Sequence, residues 1–257
     1  MKESIQRLMT LSIQNVNYYK YSENAQMNTI FSGPYPTAEQ TSTKDENGII
    51  DLKDKAAKQV SKLVRSDYGC TDPSTQNCEA YLIGDKLYTK IDGKWTESTI
   101  SDPVNAFQER NKLKGVVGLI SSSDIEVIGT EVIDGQRCYK LRMVPELHAA
   151  NSMLADQAIA AYSLAPTSLP TISSNDLSEG SALLDNSNIS YTIWITSATY
   201  IPKMMNAEIK FALTPASLKG GSDSMPDFRI DASTKDTIVF SDFNVHEKIG
   251  VPIPEKH

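Results

Sequence analysis

Ile5, Leu8, Met9, Ile13 and Val16 recur at helical spacing, which predicts an opening amphipathic helix of about three turns. The period then changes to two. Tyr19, Tyr21, Ala25, Met27, Thr29 and Phe31 share one parity and Lys20, Ser22, Asn24, Gln26 and Asn28 the other, which predicts a long strand with one apolar and one wet face. The Pro-, Thr- and Ser-rich residues Gly33 to Glu46 predict a loop. From Ile50 to Val64 the apolar positions fit both a period of two and one near four. Ala and Lys content favours helix there, and the flanking strand signals favour a strand pair.

Further on, Ala80 to Ile83, Lys86 to Ile91 and Lys94 to Thr96 read as a meander closed by the tight turns Gly84-Asp85 and Asp92-Gly93. Asp102 as N-cap and Pro103 in the first turn open a helix to about Ile120. A hairpin follows, Asp124 to Ile133 and Gln136 to Val144 around Asp134-Gly135, with Tyr139, Leu141 and Met143 on its apolar face and Cys138 towards the wetter one. Pro145 begins an Ala-rich helix to about Tyr162, with Leu147, Leu154, Ala158 and Ala161 near one side. Leu164 to Asn188 reads as a long irregular loop. Strands are expected over Ile189 to Thr196 and Tyr200 to Thr214, with two more between Asp227 and Phe243 and an extended tail from Ile249 to Glu255. No repeat or linker divides the pattern, so a single domain over residues 1–257 is expected.

Charge changes this picture in one respect. Lys and Arg number 25 against 32 Asp and Glu, a net charge of -7, and a field of that sign repels phosphate backbones, so nucleic acid is not an expected partner. The densest basic stretch, Lys53, Lys55, Lys58, Lys62 and Arg65, is interrupted by Asp51 and Asp54 and reads as a solvated face or as a patch for an anionic lipid surface. No run of apolar residues is long enough to span a membrane as a helix, and residues Met1 to Leu11 lack the apolar core of a signal peptide.

Candidate chemistry is sparse. His148, His246 and His257 are the only imidazoles, and no nucleophile elbow, phosphate loop or zinc-protease helix occurs, so neither a catalytic residue, a cofactor nor a metal is expected. Cys70 and Cys78 flank the turn-forming stretch Thr-Asp-Pro-Ser-Thr-Gln-Asn, which suits a disulfide in an oxidising compartment, and Cys138 is left as a free thiol. The apolar parities of the long strands, with amphipathic helices to cover them, admit two readings. One is a filled core; the other is a strongly curved sheet that its helices leave partly empty, keeping an apolar cavity.

Several phrases occur together in order. They are the helix leading into Tyr18 to Phe31; Tyr81-Leu82-Ile83-Gly84-Asp85-Lys86-Leu87-Tyr88 with Gly93-Lys94-Trp95; Val127-Ile128-Gly129-Thr130-Glu131 through Asp134-Gly135 to Cys138-Tyr139-Lys140-Leu141; and Tyr191-Thr192-Ile193-Trp194-Ile195 with Tyr200-Ile201-Pro202. Together, from about Ser4 to Pro254, they resemble the LolA/LppX-like lipoprotein carrier superfamily, with the flavour of prokaryotic, including archaeal, cell-surface lipoproteins. The resemblance implies an α+β fold: a strongly curved antiparallel β-sheet, a half-barrel, with helices covering its concave face. It implies strands over Ile50 to Val64, and makes the loops near 66–79 and 164–188 elaborations.

It also implies a monomeric, exported, non-enzymatic protein at the cell surface. Such a protein is held by a lipidated Cys that would lie upstream of Lys2, and takes a hydrophobic small molecule or lipid acyl chain, with a membrane surface or a lipoprotein as further partners. Strand parity then proposes the wall of the cavity: Tyr19, Tyr21, Met27, Tyr139, Leu141, Met143, Ile193, Met205, Ile209 and Phe211, with Phe107, Val116 and Val117 supplied by a helix. The alternative is a surface interaction or sensor module of the same fold, with a filled core and contacts made through its loops.

Overall fold

The computed structural model describes residues 2–33, 37–66, 72–146, 187–218 and 227–252, together with Ala150, Leu154, Ala158 and Ala161. Helix α1 (Lys2–Gln14) leads into β1 (Tyr18–Ser32), β2 (Ala38–Asp51), β3 (Ala56–Ser66), β4 (Ser74–Ile83), β5 (Lys86–Ile91) and β6 (Lys94–Thr99). Helices α2 (Pro103–Arg110) and α3 (Lys112–Ser121) follow, then β7 (Ser123–Ile133), β8 (Gln136–Pro145), β9 (Asn188–Thr196), β10 (Pro202–Leu213) and β11 (Arg229–Ser241).

All the strands join one antiparallel sheet in the order β6-β5-β4-β3-β2-β1-β11-β10-β9-β8-β7. Two meanders therefore grow outward from the β1–β11 pair, and β6 and β7 remain opposite edges of an open sheet. The central strands are the longest, 14 residues in β2, 15 in β1 and 13 in β11. Strands of this length accumulate right-handed twist and coil, which bends the sheet into a half-barrel. The connection from β6 to β7 has to pass from one edge to the other, and α2 and α3 lie in it. Side chains of α1 and α3 (Met9, Ile13, Leu113, Val116, Ile120) join the same apolar core as Tyr19, Leu141, Ile193 and Phe211 from the sheet. Gln6 of α1 ties the two helices together by donating to the Ile120 carbonyl at 2.9 Å. This is the curved α+β architecture that the sequence phrases imply.

Several boundaries differ from the sequence reading. Residues 38–46, expected as loop, belong to β2 and pair with β1 throughout and with β3 from Thr41 on, with Ala25 opposite Lys44 and Lys44 opposite Leu63. Their inward parity (Ser42, Lys44, Glu46) is polar, so the alternation that marks a strand is missing. The ambiguous stretch resolves into the end of β2, a turn over 52–55 and β3. In place of two strands between Asp227 and Phe243 there is one, β11. The polar run Ser233 to Asp236 resembles a turn but is bonded throughout to β1 and β10.

The single helix expected from Asp102 is two, broken at Asn111, whose extended backbone (φ -77, ψ 92) ends α2 and begins α3. Asp102 does cap α2, accepting from the Asn105 N–H at 3.0 Å. Pro145 closes β8 rather than opening a helix, while Ala150, Leu154, Ala158 and Ala161 are helical and buried. The loop expected over Leu164 to Asn188 lies outside the described residues up to 186, and Asn188 already belongs to β9. The tight turns are as expected: Asp92-Gly93 and Asp134-Gly135 carry positive φ at both central positions, the mirror-image geometry that suits twisted hairpins.

Candidate functional site

The proposed wall positions converge. Tyr19, Tyr21, Phe107, Val116, Leu141, Met143, Ile193, Ile209 and Phe211 are buried in the core between the sheet and its helices. Met27, Val117, Tyr139 and Met205 pack against that core but stay half-buried. Register explains the convergence: Leu141, Ile193, Met205 and Ile238 stand opposite one another across β8, β9, β10 and β11, a continuous apolar row on the concave face. Met143, Tyr191, Ala207, Asp236 and Ala25 form the adjacent row.

Both rows run into a polar island, which parity reasoning did not anticipate: the first continues from Ile238 to Glu23 and Glu46, the second through Ala25 to Lys44. Glu23, on the same parity as Tyr19 and Tyr21, is buried. Lys112, at the start of α3, places Nζ 2.5 Å from Glu23 Oε2 and 3.8 Å from Glu46 Oε1. Lys44 Nζ reaches Glu23 Oε1 at 3.1 Å and Glu46 Oε2 at 3.0 Å. The Tyr21 hydroxyl donates to Glu46 Oε1 at 2.6 Å, and Gln59 Nε2 donates to the same hydroxyl at 2.9 Å. Burial pushes the Glu23 carboxyl up, but the charges and hydrogen bonds of Lys112 and Lys44 outweigh it and hold the group below its ordinary pKa. Burial, reinforced by the Glu46 charge, drives the Tyr21 phenol far up, so it stays a hydrogen-bond donor.

Gly48 makes this island possible. It faces Tyr21 across the β1–β2 ladder, and a Cβ at position 48 would lie 2.1 Å from Tyr21 Cε1 and 2.2 Å from Cζ. Only a residue without a side chain lets the ring lie flat enough to reach Glu46. Tyr19 is pinned in a comparable way: its hydroxyl donates to Asn111 Oδ1 at 2.9 Å and accepts from the Leu113 N–H at 3.3 Å. The helix break at Asn111 is thereby fastened to β1.

Asp236 completes the island. It is half-buried on β11 with Ala25 opposite on one side and Ala207 on the other. Its Oδ1 is buried without a hydrogen-bond partner among the described residues. Desolvation, with the negative charge of Glu23 added, pushes its pKa up to about 6 against the pull of Lys112 and Lys44. Burial and the Asp236 charge likewise lift Tyr191 to about 12.

Other expected features are placed as follows. Cys78 is a half-buried free thiol, and its proposed disulfide partner Cys70 lies outside the described residues. Cys138 is a free thiol but fully buried rather than on a wet face, and burial pushes its pKa up. His148 and His257 lie outside the described residues. His246 Nε2 sits 3.1 Å from Asp51 Oδ2, and with Asp54 these side chains bring one ligand atom each within 4.8 Å. The Asp51 carboxylate already accepts from the Lys53 and Asp54 N–H groups, the bonding of a turn. Of the basic stretch, Lys53, Lys55, Lys62 and Arg65 are exposed, while Lys58 packs over the Tyr81 ring at 5.2 Å. An open groove of about 450 Å³ borders Lys20, Asn47, Ile49, Lys58, Val60 and Val239. No helix among the described residues is long and apolar enough to cross a membrane.

No protein-family model and no curated protein matches the chain. Among solved structures it is similar to the lipoprotein LppX of Mycobacterium tuberculosis, at 12% identity over 97% of this chain and 98% of that one, with a TM-score of 0.43. It is similar to LprF of Mycobacterium bovis at 12% identity over 98% and 97% of the two chains, with a TM-score of 0.44. A LolA-superfamily protein of Nitrosomonas europaea aligns at 8% identity over 97% and 95%, with a TM-score of 0.23.

Proposed function

We propose that this protein is a single-domain, exported, lipid-anchored and non-enzymatic binding protein that holds a lipid or other hydrophobic ligand between its curved sheet and the helices. The observation that carries this reading is the half-buried apolar set Met27, Val117, Tyr139 and Met205, which continues the concave core without being sealed by it. An apolar chain laid along these residues is stabilised by about 25 cal/mol per Å² of apolar surface removed from water. With few polar contacts along that track, a broad range of chain lengths is tolerated.

Titration with the neutral apolar dye N-phenyl-1-naphthylamine tests the reading. Saturable uptake is expected in the wild type, and Met205→Trp should abolish it while the circular dichroism spectrum stays unchanged. Absence of uptake by the wild type would overturn the reading.

The alternative of a filled core, with contacts made through loops, is favoured by a specific fact as well. Most of the wall positions, from Tyr19 to Phe211, are already buried by the protein's own side chains. In that case Met205→Trp overpacks the interior and destabilises by about 1–3 kcal/mol.

A further inference from the structure

The polar island raises a question of charge balance. Glu23, Glu46 and Asp236 carry carboxylates, and among the described residues only Lys44 and Lys112 bring ammonium groups to them. Both lysines are bonded to Glu23 and Glu46. Asp236 Oδ1 is buried with no donor among the described residues, and a buried acceptor of this kind costs free energy unless something pairs with it.

The side chains that face it across the sheet are short. The residues opposite it on both neighbouring strands are alanines, Ala25 and Ala207, so Asp236 stands in a notch between shorter side chains. The residue is half-buried, not enclosed. Along β10 and β11 the notch is flanked by Met205 and Ile238 on one side and Ile209 on the other, the apolar track proposed above for a ligand chain.

We propose that Asp236 is the polar anchor of the ligand site and selects an amphiphile whose head is an aliphatic ammonium. An ammonium supplies the missing hydrogen-bond donor and the missing positive charge together, and its apolar tail lies over Met205 and the half-buried wall. A hydroxyl head supplies only the donor. A carboxylate head meets three like charges, since the lysines that could attract it are already paired. This inference rests on the reading of the concave face as a ligand site and adds the class of head group.

The test measures competition of dodecylammonium, dodecanol and dodecanoate against bound N-phenyl-1-naphthylamine, below their micellar concentrations, for the wild type, Asp236→Asn and Asp236→Ser. Charge-assisted hydrogen bonds are about twice as strong as neutral ones, so the wild type should prefer dodecylammonium over dodecanoate by about tenfold or more. Both variants should bring that ratio to within about twofold. If the dye binds but the three compounds compete equally, or the variants keep the wild-type preference, the inference is overturned and the apolar site stands. If neither the dye nor any of the compounds binds, the ligand site and its anchor are both overturned.

Discussion

Replacing Asp236 with Asn should stabilise the folded protein at neutral pH. The side chains are nearly isosteric, but Asn needs no charge in a half-buried notch. Desolvation and the neighbouring Glu23 raise the Asp236 carboxyl from 3.8 to about 6 in the fold. At about 1.4 kcal/mol per unit this shift is worth roughly 3 kcal/mol, and partial exposure reduces it to roughly 1–2 kcal/mol. A raised carboxyl pKa means that the native state holds its proton longer than the unfolded chain. The penalty is therefore absent below about pH 4, grows as pH rises through the window to about 6, and is constant above it.

Urea unfolding of the wild type and Asp236→Asn at pH 4, 5, 6 and 7, followed by the fluorescence of Trp95 and Trp194, measures this directly. Taking the difference between the two proteins cancels groups that do not interact with Asp236, while Glu23, Glu46, Lys44 and Lys112, whose charges act on it, contribute through that coupling alone. The expected result is a variant advantage near pH 7 that closes towards pH 4. An Asn variant less stable than the wild type at pH 7, or an advantage that does not change with pH, would refute the argument that Asp236 lacks a partner.

Other consequences concern the same face. Gly48→Ala forces the Tyr21 ring away from Glu46 and Gln59 and should cost about 2–4 kcal/mol by chemical denaturation, most of which Tyr21→Ala in the same chain should remove. Lys112→Met leaves the buried Glu23 with one cation fewer and should destabilise by about 3 kcal/mol at pH 7. The loss should shrink towards pH 4, because the lowered Glu23 pKa is held there by Lys112 and the carboxyl then takes a proton. Ile193→Ala, at a position with 0% exposure, should cost about 2–5 kcal/mol in the same assay.

How legible these features were in the sequence depended on which face of a strand was apolar. From Met205 to Leu213 the inward side chains are hydrophobic and the outward ones polar, so alternation alone identifies β10. In the first part of β2 and the middle of β11 the inward side chains are Ser42, Lys44, Glu46 and Asp236, and the same backbone ladder leaves no hydrophobic trace. The wall residues were legible for the reason that β10 was. The polar island was not, because its members come from β1, β2, β3, α3 and β11 and meet only through register. One signal did exist: Glu23 interrupts the apolar parity of Tyr19, Tyr21 and Met27, where an acidic residue predicts a buried cation beside it. The break at Asn111 was hidden because α2 and α3 keep a continuous apolar face from Phe107 to Ile120 across it.

The central claim, that the concave face holds a hydrophobic ligand, is tested most directly by native mass spectrometry of protein purified from its own host, with organic extraction of the same sample. The account predicts a bound species of lipid mass that is released on unfolding and recovered in the organic phase. A protein that arrives at its sequence mass alone, yields no lipid on extraction and fails to take up N-phenyl-1-naphthylamine would contradict it.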